Sequence, residues 1–171
     1  MVTDREADYN KYDKMGESPV MKTCERGLTE VVQMLLDRGE DYYKCDKSDK
    51  SPVMKACENG HTELVKILLD RGADLNKCDE MGESPVMKTC EQGYTQIIKM
   101  LLVKGAEYNK RNKKGQSPVI KACQHGHTEI VKILIDRGAD YNKCDLVVKH
   151  RENKRTLKGS HRPNYSIDTP K

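Results

Sequence analysis

Cys123, His125 and His127 bring one thiol and two imidazoles into a short stretch, the side chains from which a nucleophile and its base can be made. A working pair also needs a third group to orient the base and a pocket to hold a substrate. The sequence supplies neither. The chain repeats itself every 33 residues, and the positions equivalent to His127 hold Leu28, His61 and Tyr94, while those equivalent to His125 hold Arg26, Asn59 and Gln92. Cys123 itself belongs to a column of cysteines set among apolar residues. The grouping therefore reads as structural and surface chemistry. There is no CxxC pair, no Cys–His spacing that fits zinc, no glycine-rich phosphate loop and no carboxylate pair that stands apart from the repeating Glu positions. No enzymatic activity, metal or cofactor is expected.

Lysine carries the next candidate chemistry. Lys22, Lys55, Lys88 and Lys121 share one repeat position, and Lys11, Lys44, Lys77, Lys110 and Lys143 share another. Stacked copies would space each ladder by about 10 Å, a periodic basic line able to meet an acidic peptide or a phosphate backbone. The competing reading is preferred: duplication has copied the lysines, and Glu25, Glu58 and Glu91 neutralise them. Anion binding at Lys22, Lys55, Lys88 and Lys121 is kept as the alternative function, with nucleic acid an unfavoured partner.

Charge and cysteine usage narrow the class further. The net charge is +4, but residues 146–171 hold seven Lys/Arg against Glu152 and Asp168, so the rest of the chain is near neutral. Cys24, Cys57, Cys90 and Cys123 form one column and Cys45, Cys78 and Cys144 another. Equivalent helices about 8–10 Å apart exceed the roughly 7 Å Cα limit for a disulfide, so neither column can cross-link within itself, whereas a bridge between columns stays open. Reduced thiols in the cytoplasm or nucleus are expected. No apolar run approaches the roughly 18 residues of a membrane span, and Met1–Asn10 lacks a signal-peptide core.

The elements that position these side chains follow from residues 46–78. Ser51 before Pro52 is a helix start, since the hydroxyl can cap a free amide and proline at the first helical position loses nothing by lacking an N–H. Val53, Met54 and Cys57 then share a face, and Gly60 ends the helix. Thr62 is expected to cap a second helix whose apolar face is Leu64, Val65, Ile67, Leu68 and Leu69, ending at Gly72. An extended, turn-like segment follows. Helices this short are marginal alone, so each unit needs neighbours. A fixed period of this length is the signature of stacked supersecondary units.

The motifs SPVMKAC (51–57) and GHTELVKILLDRGAD (60–74), with their copies, resemble the ankyrin repeat. The resemblance implies an all-α solenoid of helix-turn-helix units with β-turn loops, in four repeats at 13–45, 46–78, 79–111 and 112–144. It departs from the family's T-P-L-H start: Met21, Met54, Met87 and Ile120 stand where a hydrogen-bonding His is usual, and packing is expected to replace that bond. Asp49 replaces the turn glycine of Gly16, Gly82 and Gly115. Residues 1–12 align with the end of a preceding repeat, and 146–171 read as a basic, disordered tail. Neither terminal repeat is visibly polarised for solvent, which leaves open a longer array, ends covered by a partner or by end-to-end self-association, and, equally, four repeats that simply tolerate frayed ends.

The resemblance also places the lysine position of Lys22 on the family's concave groove and implies a protein-binding scaffold. The repeats diverge where that family contacts partners. The turn tips read Lys14-Met15-Gly16-Glu17, Lys47-Ser48-Asp49-Lys50, Glu80-Met81-Gly82-Glu83 and Lys113-Lys114-Gly115-Gln116. The ends of the first helices read Glu25-Arg26, Glu58-Asn59, Glu91-Gln92 and Gln124-His125. These residues, with Met15 and Met81 as adaptable apolar contacts, are the expected partner-binding set.

Overall fold

The structure is a computed structural model that describes residues 11–141. Eight helices form four antiparallel pairs: α1 (Pro19–Arg26) with α2 (Thr29–Asp37), α3 (Pro52–Glu58) with α4 (Thr62–Asp70), α5 (Pro85–Gln92) with α6 (Thr95–Val103), and α7 (Pro118–His125) with α8 (Thr128–Asp136). No strand occurs among the described residues. First helices pack on first helices and second on second, so the fold is two parallel rows, the all-α solenoid expected. The expected remnant at 1–12 and the tail at 146–171 fall outside the described residues, apart from Lys11 and Tyr12.

Each first helix starts as its Ser-Pro dipeptide dictates. The Oγ of Ser18, Ser51 and Ser84 accepts from the N–H of Met21, Met54 and Met87 at 3.2, 3.3 and 3.4 Å. Ser117 is the exception, with a buried Oγ that finds no partner. The second helices differ from expectation. His61 occupies the cap position with no side-chain bond to its own helix, and Thr62 is the first helical residue, its Oγ1 donating back to the Gly60 carbonyl. The tight Gly60 turn uses the Thr62 N–H on that same carbonyl, and the helix starts one residue earlier than expected.

The core is a seam between the rows. Val20, Val53, Val86 and Val119 with Cys24, Cys57, Cys90 and Cys123 face Leu64, Ile97 and Ile130 and the Leu35, Leu68, Leu101 and Leu134 column. Met21, Met54 and Met87 are fully buried and Ile120 is 6% exposed, so packing does stand in for the missing His bond. Burial pushes the Cys24 and Cys57 thiols up to about 12, which leaves them inert packing groups. Among the described residues Cys24, Cys45, Cys57, Cys78 and Cys90 are free thiols. Glu40 takes the place held by Ala73, Ala106 and Ala139 in the other repeats. It is buried, with Oε1 accepting from Val20 N–H at 3.2 Å and Oε2 unpartnered, and burial raises its pKa.

Two kinds of tie lock neighbouring repeats. A ring at the cap position of α4, α6 and α8 lies on the turn glycine of the preceding repeat: His61 on Gly27, Tyr94 on Gly60 and His127 on Gly93. The Nε2–H of His61 donates to the Glu25 carbonyl at 3.0 Å and that of His127 to the Glu91 carbonyl at 2.9 Å. The second helices are tied by Arg71–Asp37 and by Lys104–Asp70 at 2.8 Å. At Val103 the acid is missing, and Arg137 turns instead to the Leu102 carbonyl.

Gly60 and Gly72 separate backbone strain from packing. Both have positive φ, 79° and 87°, but a Cβ on Gly60 would meet the Tyr94 ring at 2.6 Å while one on Gly72 would meet nothing within 4 Å. Gly72→Ala should therefore cost only the left-handed penalty, about 1 kcal/mol. Gly60→Ala should add the overpacking term and cost roughly 2–4 kcal/mol. Urea unfolding midpoints measure both, and equal losses would mean the ring does not sit on the glycine.

Candidate functional site

The four turn tips are built alike around one polar side chain. Asp13 Oδ1 accepts from the Met15 and Glu17 N–H groups, Asp46 Oδ1 from Ser48 and Lys50, Asp79 Oδ1 from Met81 and Glu83, and Asn112 Oδ1 from Lys114 and Gln116. Such Asx turns hold a tip without help from the helices. Asp49 adopts φ 60°, so the second tip closes with the same Asp49 N–H to Asp46 carbonyl bond despite lacking glycine. Adjacent tips are then joined by one backbone bond each: Lys47 N–H to Met15 carbonyl, Glu80 to Ser48 and Lys113 to Met81, all at 3.0 Å.

The second carboxylate oxygen of each hub Asp reaches the lysine of its own first helix. Asp13 pairs with Lys22 at 2.6 Å, Asp46 with Lys55 at 3.3 Å and Asp79 with Lys88 at 3.1 Å. Glu17 adds to Lys55 at 2.6 Å, and Glu83 lies 2.6 Å from both Lys88 and Lys121. Asn112 carries no charge, so Lys121 turns to Glu83 and to Glu91 at 2.9 Å, while the Asn112 amide donates to Glu83 at 3.1 Å. Lys55, Lys88 and Lys121 are buried in these cages. Burial acts to lower their pKa values, but the surrounding carboxylates outweigh it and raise all three. Lys22 alone of that ladder is exposed.

The lysine ladder is thus compensated, as the preferred reading expects, but by different acids. Glu91 is the single residue of the expected neutralising set that meets it; Glu58 pairs with Lys50 at 2.9 Å, and Glu25 is exposed. The hub residues Asp13, Asp46, Asp79 and Asn112 were not among the expected site residues, though their strict register before every tip marks them. Of the second ladder, Lys11, Lys44, Lys77 and Lys110 are exposed, Lys44 Nζ lying 3.7 Å from the Tyr12 ring centre; Lys143 is outside the described residues.

The expected partner-binding residues divide by exposure. Lys14, Met15, Lys47, Asn59, Glu80, Met81, Gln92, Lys113, Lys114 and His125 are exposed. Glu17, Ser48, Lys50, Glu58, Glu91, Gln116 and Gln124 are half-buried, most of them bonded to one another or to the lysines, as in the 2.8 Å bond from Gln116 Nε2 to Gln124 Oε1. Glu83 is buried, 7% exposed, and serves as the strut between repeats three and four. The His125 and His127 rings stack at 6.2 Å, but His127 Nε2 is engaged on the Glu91 carbonyl and Cys123 is buried in the core, so no nucleophile–base pair is assembled there. Among the described residues no three His, Cys, Asp or Glu side chains converge as a metal site, and no helix is long and apolar enough to cross a membrane.

Glu83 makes the network testable by pH. Burial raises its pKa, but hydrogen bonds from Lys121 and Lys88 overcome that and hold the carboxyl at about 2. The unfolded carboxyl titrates near 4.3, so the unfolded chain binds more protons between those values and stability falls as pH drops from about 5 to 2. Glu83→Gln should lower stability by about 2 kcal/mol at pH 7, and its difference from the parent should shrink over that window. A difference that stays constant from pH 7 to 2 would show that the carboxylate is not ion-paired.

The description "Ankyrin repeats (3 copies)" matches residues 2–79 and 53–145. No curated protein matches the chain significantly. Ankyrin repeats are generally protein–protein interaction modules. Helix pairs in register, left-handed glycines after the first helices and bonded turn tips are what that match describes, and the chain belongs to the ankyrin-repeat family.

Proposed function

We propose that this chain is a non-catalytic scaffold that binds another protein on its turn tips and the exposed ends of its first helices. One observation carries the reading. Positions that stack are buried and mostly conserved in type from repeat to repeat, whereas the tips change: one tip position reads Met15, Ser48, Met81 and Lys114, and the position before it, exposed in every copy, reads Lys14, Lys47, Glu80 and Lys113. Backbone bonds along the tips hold that surface before any partner arrives, which lowers the ordering cost of association. The polyanion alternative loses support, because three of its four lysines are buried against carboxylates. Five free thiols among the described residues suit a cytoplasmic or nuclear setting.

Replacing Met15, Lys47, Glu80, Met81 and Lys113 together with serine should abolish capture of a protein partner from lysate. Helical content by circular dichroism should not change, because none of these side chains packs in the core. Full capture by that variant would move the binding surface elsewhere.

The expected self-association is the second partner reading. Val31 is 40% exposed, whereas Leu64, Ile97 and Ile130 at its position are fully buried, and Leu28 is 45% exposed where the other repeats place a ring on glycine. This is a stacking face on which no other described repeat stacks. Sedimentation velocity should show a mass that rises with concentration and returns to the monomer in a Leu28→Lys, Val31→Lys variant; a constant mass in the parent overturns it.

A further inference from the structure

The ion network decides which charges are left over for a partner. Lys55, Lys88 and Lys121 are consumed by Asp46, Glu17, Asp79, Glu83 and Glu91. Lys14, Lys47, Lys113 and Lys114 are exposed at the tips and form no ion pair among the described residues, while Asp49 and Glu80 are the exposed acids on the same line. We infer that the tip line selects an extended acidic polypeptide segment with large aliphatic side chains. The inference rests on the protein-binding reading above and adds the chemistry of the partner.

Geometry sets the spacing. Tips of stacked repeats stand about 8–10 Å apart, and a chain in the extended polyproline II form advances about 3.1 Å per residue with three residues per turn, so one face of the partner returns at each tip roughly every three residues. An acidic side chain at every third position meets Lys14 at the first tip, Lys47 at the second and Lys113 with Lys114 at the fourth. The third tip carries Glu80, which repels an acid there and favours a neutral or basic residue. Met15 and Met81, 59% and 40% exposed, offer apolar surface at the first and third tips. The thioether is polarizable and adapts to branched or aromatic side chains. A nucleic acid strand fits less well, because its charges cannot skip the Glu80 tip and no exposed aromatic ring stands on the tips to stack its bases.

Selection of random twelve-residue peptides on the full chain tests this. Enriched peptides should carry Asp or Glu at three-residue spacing, with that pattern broken at one step, together with at least one large aliphatic residue. Lys14→Glu, Lys47→Glu and Lys113→Glu combined should weaken a selected peptide at least about tenfold, with the thermal transition unchanged. Glu80→Lys should restore acid preference at the broken step, a gain that a misfolded variant cannot give. Neutral or basic peptides, or no enrichment, overturn the acidic class. If such non-acidic peptides are lost on Met15→Ser with Met81→Ser, tip docking stands without it. Peptides insensitive to every tip variant overturn both readings. An oligothymidylate that displaces the peptides at equal charge concentration would assign the line to nucleic acid.

Discussion

Helices of seven to nine residues cannot hold themselves in water, and every other feature of this chain answers that constraint. A two-turn helix makes too few hydrogen bonds to offset its nucleation, so it persists only by burying a face against others. The seam of Val20, Val53, Val86 and Val119 facing the Leu35, Leu68, Leu101 and Leu134 column supplies that burial in both directions along the stack. The strict period follows. A one-residue insertion would rotate the apolar face away from its neighbour, so the repeat length is as constrained as the residues themselves.

Polar ties reinforce the seam, and their variation shows how the stack absorbs sequence change. Where Glu17 and Glu83 have their counterpart in Lys50, the cation pairs within its own repeat with Glu58, and Lys88 draws both of its carboxylates from its own tip. Where the hub Asp becomes Asn112, Lys121 borrows Glu83 and Glu91 from the preceding repeat. Each lysine stays compensated through a different route. A buried ammonium cannot be left unpaired without a large penalty, so the network is rewired around each substitution and the charge is not relocated to solvent.

Much of this was legible in the sequence because it is written in period. The helix pairs, the Ser-Pro starts and the buried methionines all follow from residues recurring 33 positions apart. What periodicity hides is which of two neighbouring polar residues a side chain will choose. Lys55 and Glu58 lie one helical turn apart, yet Lys55 bonds Glu17 and Asp46 across the tips while Glu58 bonds Lys50. The choice depends on burial: the lysine stem lies inward toward the hub aspartate, and the helix-end glutamate lies outward. Glu83 is hidden for the same reason, since a residue beside an exposed turn can still point into the stack. The second-helix starts shifted by one residue because backbone bonds at Gly60 had already met the need that Thr62 was expected to serve.

Placing the tips on their own hydrogen bonds separates binding from folding. Each tip is closed by Asp13, Asp46, Asp79 or Asn112 and joined to the next tip by a backbone bond, so the side chains at its apex contribute to neither. Those apex positions can therefore change from Met15 to Ser48 to Met81 to Lys114 with no cost to stacking. Glu40 shows the opposite case. A carboxyl placed at a stacking position meets one amide, leaves one oxygen unpartnered and has its pKa raised by burial. The tolerance for chemical variety is thus a property of position, and a surface made only of tolerant positions on a rigid frame can be changed to suit a partner without disturbing the frame.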